Sequence, residues 1–410
     1  MPDAAAASSP TTPAPIAPAL IEVGWVLAGG LDEDELAACR TARLRMAKVL
    51  RAGFPGFRWH FPVAHRSDFP IRRRVEPVDL LDLGVAEREV RSWDFALVVT
   101  GAELESYYKP FALATPSKAT AVACLSTARL DLGASDDDDE DDARAQTALL
   151  AGRLFALAMH VFGDLCGIPH ADEPESFMWI PSATADLDDM RAYTDDDHEA
   201  LQEELADVAD VRLEETTTHS RIGPALFYLR TVLINGRDVL GSLRQIRPWL
   251  FPLQFSKLTL AAASTLVVLL ITEEAWTIGT SQSPAWIATF ATVALGLTSL
   301  YIVKRQHLLI RRERGRLTEQ VAVANVTVSL AIVLGMATMF VVLFGLTLGF
   351  SMLLFPDPLV ERWTGRPATL ELYATLAGFS ATLGLLIGAL GASFEDEAYF
   401  RHVTYVDEEV

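Results

Sequence analysis

The chain has 410 residues and a net charge of −20, of which the first 250 residues carry −17 and the remaining 160 carry −3. The acidic first part argues against a nucleic-acid-binding protein, because phosphate binding needs a basic face. The three cysteines include no Cys-x-x-Cys pair, so neither a disulfide framework nor a cysteine-based zinc knuckle is expected.

The first 18 residues are rich in alanine and proline and lack the basic start and continuous apolar run of a signal peptide. We expect them to form a disordered tail. From residue 20 onward, strand and helix patterns alternate. Strands are predicted at 21–30, 57–63, 94–104 and 120–130, and helices at 31–51, 78–92 and 143–167. An acidic loop, 136–142, precedes the last helix. Residues 19–190 therefore predict an α+β domain, with a small mixed sheet and helices packed on it.

The long helix leads into the sequence HVFGDLCGIPH, residues 160–170. His160 and Asp164 are four residues apart, so they share one face of a helix. Gly167 can adopt the left-handed conformation that ends a helix and redirects the chain, which would bring His170 to the same point. Zinc accepts imidazole nitrogen and carboxylate oxygen, so these three side chains predict a metal site suited to zinc.

This stretch resembles the active site of the metzincin zinc metalloproteases, in which H-E-x-x-H-x-x-G-x-x-H is followed by a methionine turn. His160, Gly167, His170 and the later Met178 are in register with that pattern. The order of elements over about residues 20–190 is similar to that of the archaemetzincin branch. The resemblance implies a metzincin-like fold, a zinc ion, and a methionine that lies beneath the metal as a floor and does not bind it.

Two departures from the family pattern bear on function. Val161 takes the place of the general-base glutamate, and Asp164 takes the place of the middle histidine. Peptide hydrolysis on zinc needs a carboxylate to accept the proton of water, which valine cannot do, so no catalytic residue is assigned. Cysteines that hold a second zinc in the archaemetzincin branch are absent. Three interpretations stay open: a metal-free relict scaffold, a bound metal without ordinary peptidase chemistry, and hydrolysis by a rearranged site.

Residues 251–410 contain four apolar segments, at 258–278, 285–303, 324–355 and 370–393. Crossing the hydrocarbon core of a bilayer takes about 20 such residues. Basic residues concentrate between the second and third segments, whereas the loops on either side have few. The positive-inside rule then places both termini in the cytoplasm. We predict an all-α, four-span transmembrane bundle, multi-pass in the cell (inner) membrane.

Two small-residue motifs lie in the apolar segments, Gly345-x-x-x-Gly349 and Gly384-x-x-x-Gly388. Such motifs let helix backbones approach closely, which indicates packing among the spans or, alternatively, a homo-oligomer.

The connector, 191–250, joins an acidic helix at 195–215 to an amphipathic juxtamembrane segment at 222–246. Arg230, Arg237 and Arg244 recur there every seven residues. A basic stripe of this kind favours anionic lipid headgroups. His198, on the acidic helix, is expected to be solvent-exposed and not a metal ligand.

The leading interpretation is a membrane protein whose cytoplasmic metzincin-like domain is catalytically impaired and acts as a binding or regulatory module. Membrane lipids are one expected partner, and a protein or peptide segment in the former cleft is another. Such a segment would pair with a sheet edge, for which the strand at 120–130 is the candidate. Two alternatives are an active membrane-tethered zinc metallohydrolase and a channel or transporter with a regulatory soluble domain. The absence of charge deep in the apolar segments speaks against the latter.

Overall fold

The computed structural model describes residues 18–70, 72–130, 140–217, 236–309 and 319–410. The predicted tail up to residue 17, Arg230 of the amphipathic segment and most of the basic loop before the third apolar segment lie outside these ranges. Within them, the strands are β1 (Leu20–Ala28), β2 (Arg58–His60), β3 (Val63–Arg66), β4 (Arg74–Val75), β5 (Phe95–Thr100), β6 (Glu103–Leu104), β7 (Ala114–Ser117) and β8 (Val122–Ser126).

The helices divide into those of the sheet-containing domain and those of the apolar region. The first group is α1 (Glu33–Gly53), α2 (Pro77–Arg91), α3 (Glu140–Cys166) and α4 (Asp195–Thr217). The second group, which begins with the connector, is α5 (Gly236–Ile246), α6 (Phe251–Gln254), α7 (Ser256–Ile271), α8 (Glu273–Ser281), α9 (Pro284–Arg305), α10 (Glu319–Leu354), α11 (Asp357–Thr364), α12 (Leu370–Gly391) and α13 (Glu397–Tyr405).

The main sheet has the strand order β2-β1-β5-β8-β7, and β3 also pairs with β1. Its pairs are parallel except for β7, which runs antiparallel to β8. The predicted α+β class with a mixed sheet is confirmed. The prediction that the strand at 120–130 forms an edge is wrong, because β8 lies between β5 and β7. All five residues of β8 are buried, as suits a strand with a neighbour on each side. On that side of the sheet the last named strand is β7, a short strand with Pro116 in it.

Helices α1 and α3 pack on one face of the sheet, where Trp25, Leu97, Leu154 and Phe162 belong to the main core. Helix α1 begins with a capping box in which Asp32 accepts a hydrogen bond from the backbone N–H of Glu35, which fixes where the helix starts. Helix α2 covers the opposite face and packs against β5 and β8. The sheet therefore has helices on both sides.

Helix α4 packs against α3 and β1, and its Leu201 and Leu205 join the main core. As a result His198 is half-buried: its ring stacks on Phe54 and its Nε2 lies 2.9 Å from the Gly53 carbonyl oxygen. The expected exposure of His198 is therefore wrong, because the acidic helix folds back on the domain. Within the described residues His198 belongs to no cluster of metal-binding side chains.

Four helices in the described ranges are long and apolar enough to cross a membrane: Arg144–Cys166 within α3, Pro284–Arg305, Val323–Leu354 and Leu370–Phe394. The last three coincide with predicted spans. The first predicted span corresponds to α7, which has 16 residues and ends at Ile271. It is long and apolar enough to cross a membrane only when it is counted together with Pro248–Gln254, and the two helical pieces are bent by 77° relative to one another.

The two small-residue motifs have different surroundings. Gly388 lies against Leu258 and Ala262 of α7, where a Cβ atom would come within 3.0 Å of the Ala262 side chain, and Gly384 also faces Ala262. Close approach of α12 to α7 requires small residues at these positions. Gly345 and Gly349 of α10 have open space where a Cβ would stand.

After α12 the chain returns to the sheet-containing domain. Helix α13 packs against α2, and Arg401 forms an ion pair with Asp82 at 2.6 Å. Residues 407–410, called here the return segment, then run alongside β7 and form hydrogen bonds with it.

Candidate metal centre

The end of helix α3 sets the geometry of the site. Gly167 has φ of +76°, and its N–H donates to the Asp164 carbonyl oxygen at 2.8 Å. The N–H of Ile168 donates to the Gly163 carbonyl oxygen at 3.0 Å. These two bonds form a Schellman motif, in which glycine takes the left-handed position without a Cβ penalty. The helix-ending turn predicted at Gly167 is present, and it directs the chain toward His170.

His160, Asp164 and His170 meet at this end of the helix, with one ligand-type atom from each lying within 4.8 Å of the others. Nε2 of His160 is 3.5 Å from Asp164 Oδ2, and Nε2 of His170 is 3.3 Å from Asp164 Oδ1. The two imidazole rings are nearly parallel, with centroids 5.6 Å apart. The structure thus brings together the three side chains that the sequence singled out.

His160 is completely buried, and its Nδ1 lies 2.7 Å from the carbonyl oxygen of Phe177. Because a carbonyl oxygen only accepts, Nδ1 donates this hydrogen bond, and Nε2 is turned toward Asp164. Among the described residues, neither His160 Nε2 nor Asp164 Oδ2 has a hydrogen-bond partner, although both atoms are buried. Buried polar atoms without partners are uncommon and costly, and a metal cation between these two would satisfy both.

The donor set suits zinc. A tetrahedron whose corners lie 2.0–2.1 Å from its centre has edges of about 3.3–3.4 Å. Each histidine nitrogen lies at about that distance from an oxygen of Asp164, His160 Nε2 at 3.5 Å from Oδ2 and His170 Nε2 at 3.3 Å from Oδ1. A histidine–aspartate–histidine set would leave a fourth position open, as three-ligand zinc sites do. Hydrogen bonding to Asp164 raises the pKa of His170, and the nearby carboxylate of Glu408 adds to the effect.

Met178 is buried beneath the end of α3. Its sulfur packs against Gly163, where an added Cβ would come within 2.2 Å of it. The Met178 N–H donates to Ser176 Oγ, and its carbonyl oxygen accepts from Ala171 N–H. Its neighbour Phe177 accepts the hydrogen bond that holds His160 in place.

Val161 is also completely buried, within the main core. It offers the site no group that can take up a proton. Glu173 and Glu175, the acidic residues that follow the motif, are exposed.

The return segment covers the β7 edge beside the site. Val410 N–H donates to the Ala114 carbonyl oxygen at 2.9 Å, and Leu113 N–H donates to that of Val410 at 2.7 Å. Asp407 N–H donates to the Pro116 carbonyl oxygen at 3.0 Å, so the segment runs antiparallel to β7. The side chain of Asp407 accepts a hydrogen bond from Lys118 N–H, and burial raises the pKa of Asp407 to about 7.

Glu408 and Glu409 point to different partners. Glu408 Oε2 lies 3.4 Å from His170 Nε2. Glu409 is buried and accepts hydrogen bonds of 2.6–3.0 Å from Ser106 Oγ and from the backbone N–H groups of residues 107, 108 and 109. Its Oε1 is 3.0 Å from Nε2 of the buried His402, off the line of an ideal hydrogen bond. Burial alone would raise the pKa of Glu409, but His402, Ser106 and the backbone amides outweigh it and lower that pKa to about 2.

Sequence reasoning missed both the return segment and the Phe177 carbonyl. A short acidic stretch such as 407–409 is typical of a solvated tail, and nothing in its composition links it to residues 160–170. One local signal is the helical period of apolar residues in α13, which predicts a helix with one face packed on another surface.

Similar structures cover the first half of the chain. An archaemetzincin of Methanopyrus kandleri is 18% identical, covers 45% of this chain and 96% of its own, and has a TM-score of 0.33. A zinc-dependent peptidase of Methanocorpusculum labreanum is 16% identical, with coverage of 44% and 99% and a TM-score of 0.34. An archaemetzincin of Archaeoglobus fulgidus is 17% identical, with coverage of 44% and 99% and a TM-score of 0.32. No protein-family model matches the sequence, and no curated protein does.

Proposed function

We propose that this chain is a membrane-anchored protein whose metzincin-like domain holds a zinc ion through His160, Asp164 and His170 and acts as a binding or regulatory module. One observation carries the proposal. Two buried ligand-type atoms without hydrogen-bond partners among the described residues, Nε2 of His160 and Oδ2 of Asp164, face one another, while Val161 lies in the core where a general base would be needed. The site has the donors to hold a metal but lacks on α3 the carboxylate that would activate water on it.

Membrane anchoring is supported by apolar side chains that the protein itself leaves uncovered. Leu297 of α9 is 58% exposed and Val341 of α10 is 66% exposed, and many large apolar side chains of the same helices are similar. A continuous surface of this kind is unfavourable in water and suits the hydrocarbon core of a bilayer. In addition, α13 touches α2 of the domain. This contact supports an arrangement in which the chain before and after the apolar helices lies on one side of the membrane, as an even number of crossings requires. Loop charge would make that side cytoplasmic.

The first test is the zinc content of the purified full-length chain in detergent, beside the His160→Ala/His170→Ala double variant and a Glu173→Gln control. We expect about one zinc per chain in the wild type and the control, and none in the double variant. Zinc missing from all three proteins would overturn the metal assignment and leave a scaffold.

Alkaline extraction of membranes tests the anchoring separately. The wild-type chain should stay with the membranes, and release of the chain together with peripheral proteins would contradict membrane anchoring.

An active zinc hydrolase is the second candidate, and Glu408 is the observation that favours it. Its carboxylate lies 3.4 Å from His170, so it could take the proton that Val161 cannot. The same segment, however, occupies the β7 edge on which an extended substrate would pair. We therefore expect the zinc-loaded chain to leave unstructured peptides intact. Cleavage that is lost in the His160→Ala variant would establish the enzyme instead.

A peptide partner and a homo-oligomer are further parts of the proposal. An extended segment that docks in the cleft would have to pair with β7 and displace the return segment.

Gly345 and Gly349 face open space, so a second copy of α10 could approach there. Gly345→Leu/Gly349→Leu should abolish cross-linking between copies in membranes. Cross-linking at the wild-type level would contradict self-association through this face. No charged side chain stands in the middle of α9, α10 or α12, which gives the channel alternative no support.

A further inference from the structure

We propose that Glu408 is a fourth ligand of the metal ion, supplied by the chain itself, and that the return segment thereby closes the cleft from within. The inference rests on the proposed zinc site at His160, Asp164 and His170 and names what regulates it. The ligand comes from the far end of the described chain, beyond the last apolar helix.

A tetrahedral zinc ion takes four ligands. Three protein donors leave one position of a tetrahedral zinc ion open, and a glutamate carboxylate is an accepted zinc ligand. Glu408 Oε2 stands 3.4 Å from His170 Nε2, comparable to the 3.3 Å between that nitrogen and Asp164 Oδ1. Glu408 lies outside the group of three whose ligand-type atoms are all within 4.8 Å of one another, so its side chain must move toward His160 to bind the same ion.

The return segment is held in place beside His170. The backbone of the return segment is fixed at both ends by hydrogen bonds to β7, through Asp407 and Val410. Asp407 and Glu409 are bound by the Lys118 N–H and by the loop at 106–109, and Glu408 between them lies beside His170. A ligand held in this way loses little freedom on binding.

The return segment also covers the β7 edge, to which an extended peptide would bind. The β7 edge supplies the backbone groups with which an extended peptide would pair, and the return segment already uses them. The same four residues therefore block the edge and cap the metal position. Opening requires the segment to leave both, and the segment is continuous with α13, which packs on α2 and directly follows the apolar helices. Displacement of α13 would withdraw Glu408.

The test is zinc affinity of the full-length chain in detergent micelles, measured by competition with a chromogenic chelator. We compare wild type with Glu408→Gln, which keeps the shape and removes the charge, and with Glu173→Gln, which removes an exposed charge near the site. Glu408→Gln should weaken zinc binding by at least about 10-fold, while Glu173→Gln stays within about 2-fold of wild type. In the cobalt-substituted protein, the visible absorption of Glu408→Gln should shift because water replaces a carboxylate.

The outcomes separate the two proposals. Equal zinc affinity and equal cobalt spectra in wild type and Glu408→Gln would overturn the fourth ligand and leave the three-residue site standing. Absence of zinc from the wild type would overturn the site itself and the fourth ligand with it. Should Glu408→Gln elute as an aggregate, Glu408→Asp replaces it. That variant keeps the charge on a side chain shorter by one methylene, and an unchanged affinity together with an unchanged cobalt spectrum counts against the proposal.

Discussion

Helices α3 and α9 are alike by length and apolar composition, since each contains a stretch that could cross a membrane, yet they have opposite surroundings. In α3 that stretch is 83% buried within the protein, whereas in α9 the share is 33%. The sheet, α1 and α4 cover α3. Helix α9 has neighbours on only part of its surface. Apolar length therefore predicts that a helix will be covered, and only the rest of the fold decides whether protein or lipid covers it.

Truncating one leucine in each helix should give the largest difference between them. Leu154 of α3 is completely buried, and Leu154→Ala should lower the free energy of unfolding of the domain by about 2–5 kcal/mol through lost burial and a cavity. Leu297→Ala in α9 removes a side chain that the protein leaves exposed and should change stability by less than about 0.5 kcal/mol in detergent. Thermal unfolding of both variants in one detergent measures this. Equal losses would show that α9 is covered by protein after all.

A charge at position 297 should show whether lipid or water surrounds this face of α9. An arginine near the middle of a spanning helix costs about 2.5–3.5 kcal/mol on insertion. Leu297→Arg should therefore reduce the fraction of chain that resists alkaline extraction. The matched control is Leu44→Arg in α1, where the leucine is 57% exposed on the sheet-containing domain. If both variants extract alike, the exposed face of α9 does not meet lipid.

A smaller effect should distinguish the C-terminal end of α3 from its middle. Gly167→Ala places a Cβ in the left-handed conformation, which costs about 1–2 kcal/mol, and it also crowds the Lys118 side chain. Gly152→Ala lies in mid-helix with open space around the new Cβ and should stabilise the domain by about 0.5–1 kcal/mol. Thermal shifts of opposite sign are the expected result. Shifts of the same sign would contradict the helix-ending role of Gly167.

The parts of the site that were predictable are those set by local spacing. The four-residue step from His160 to Asp164 and the glycine turn before His170 are properties of a helix end, so a sequence shows them directly. Strand β7 was not predicted, because four residues with a proline carry no alternating pattern, and they pair with a segment almost 300 residues further along the chain. Glu408 escaped notice for the same reason. The partial burial of His198 depends on α4 folding back, which no local pattern reports.

The spacing between α13 and the return segment determines which side chain stands in the site. The segment follows directly after α13, and Asp407 and Val410 tie it to β7. One residue inserted between Tyr405 and Asp407 would shift the chain relative to β7 and change which side chain stands beside His170. The distance from α13 to Glu408 along the chain therefore decides which carboxylate reaches the site.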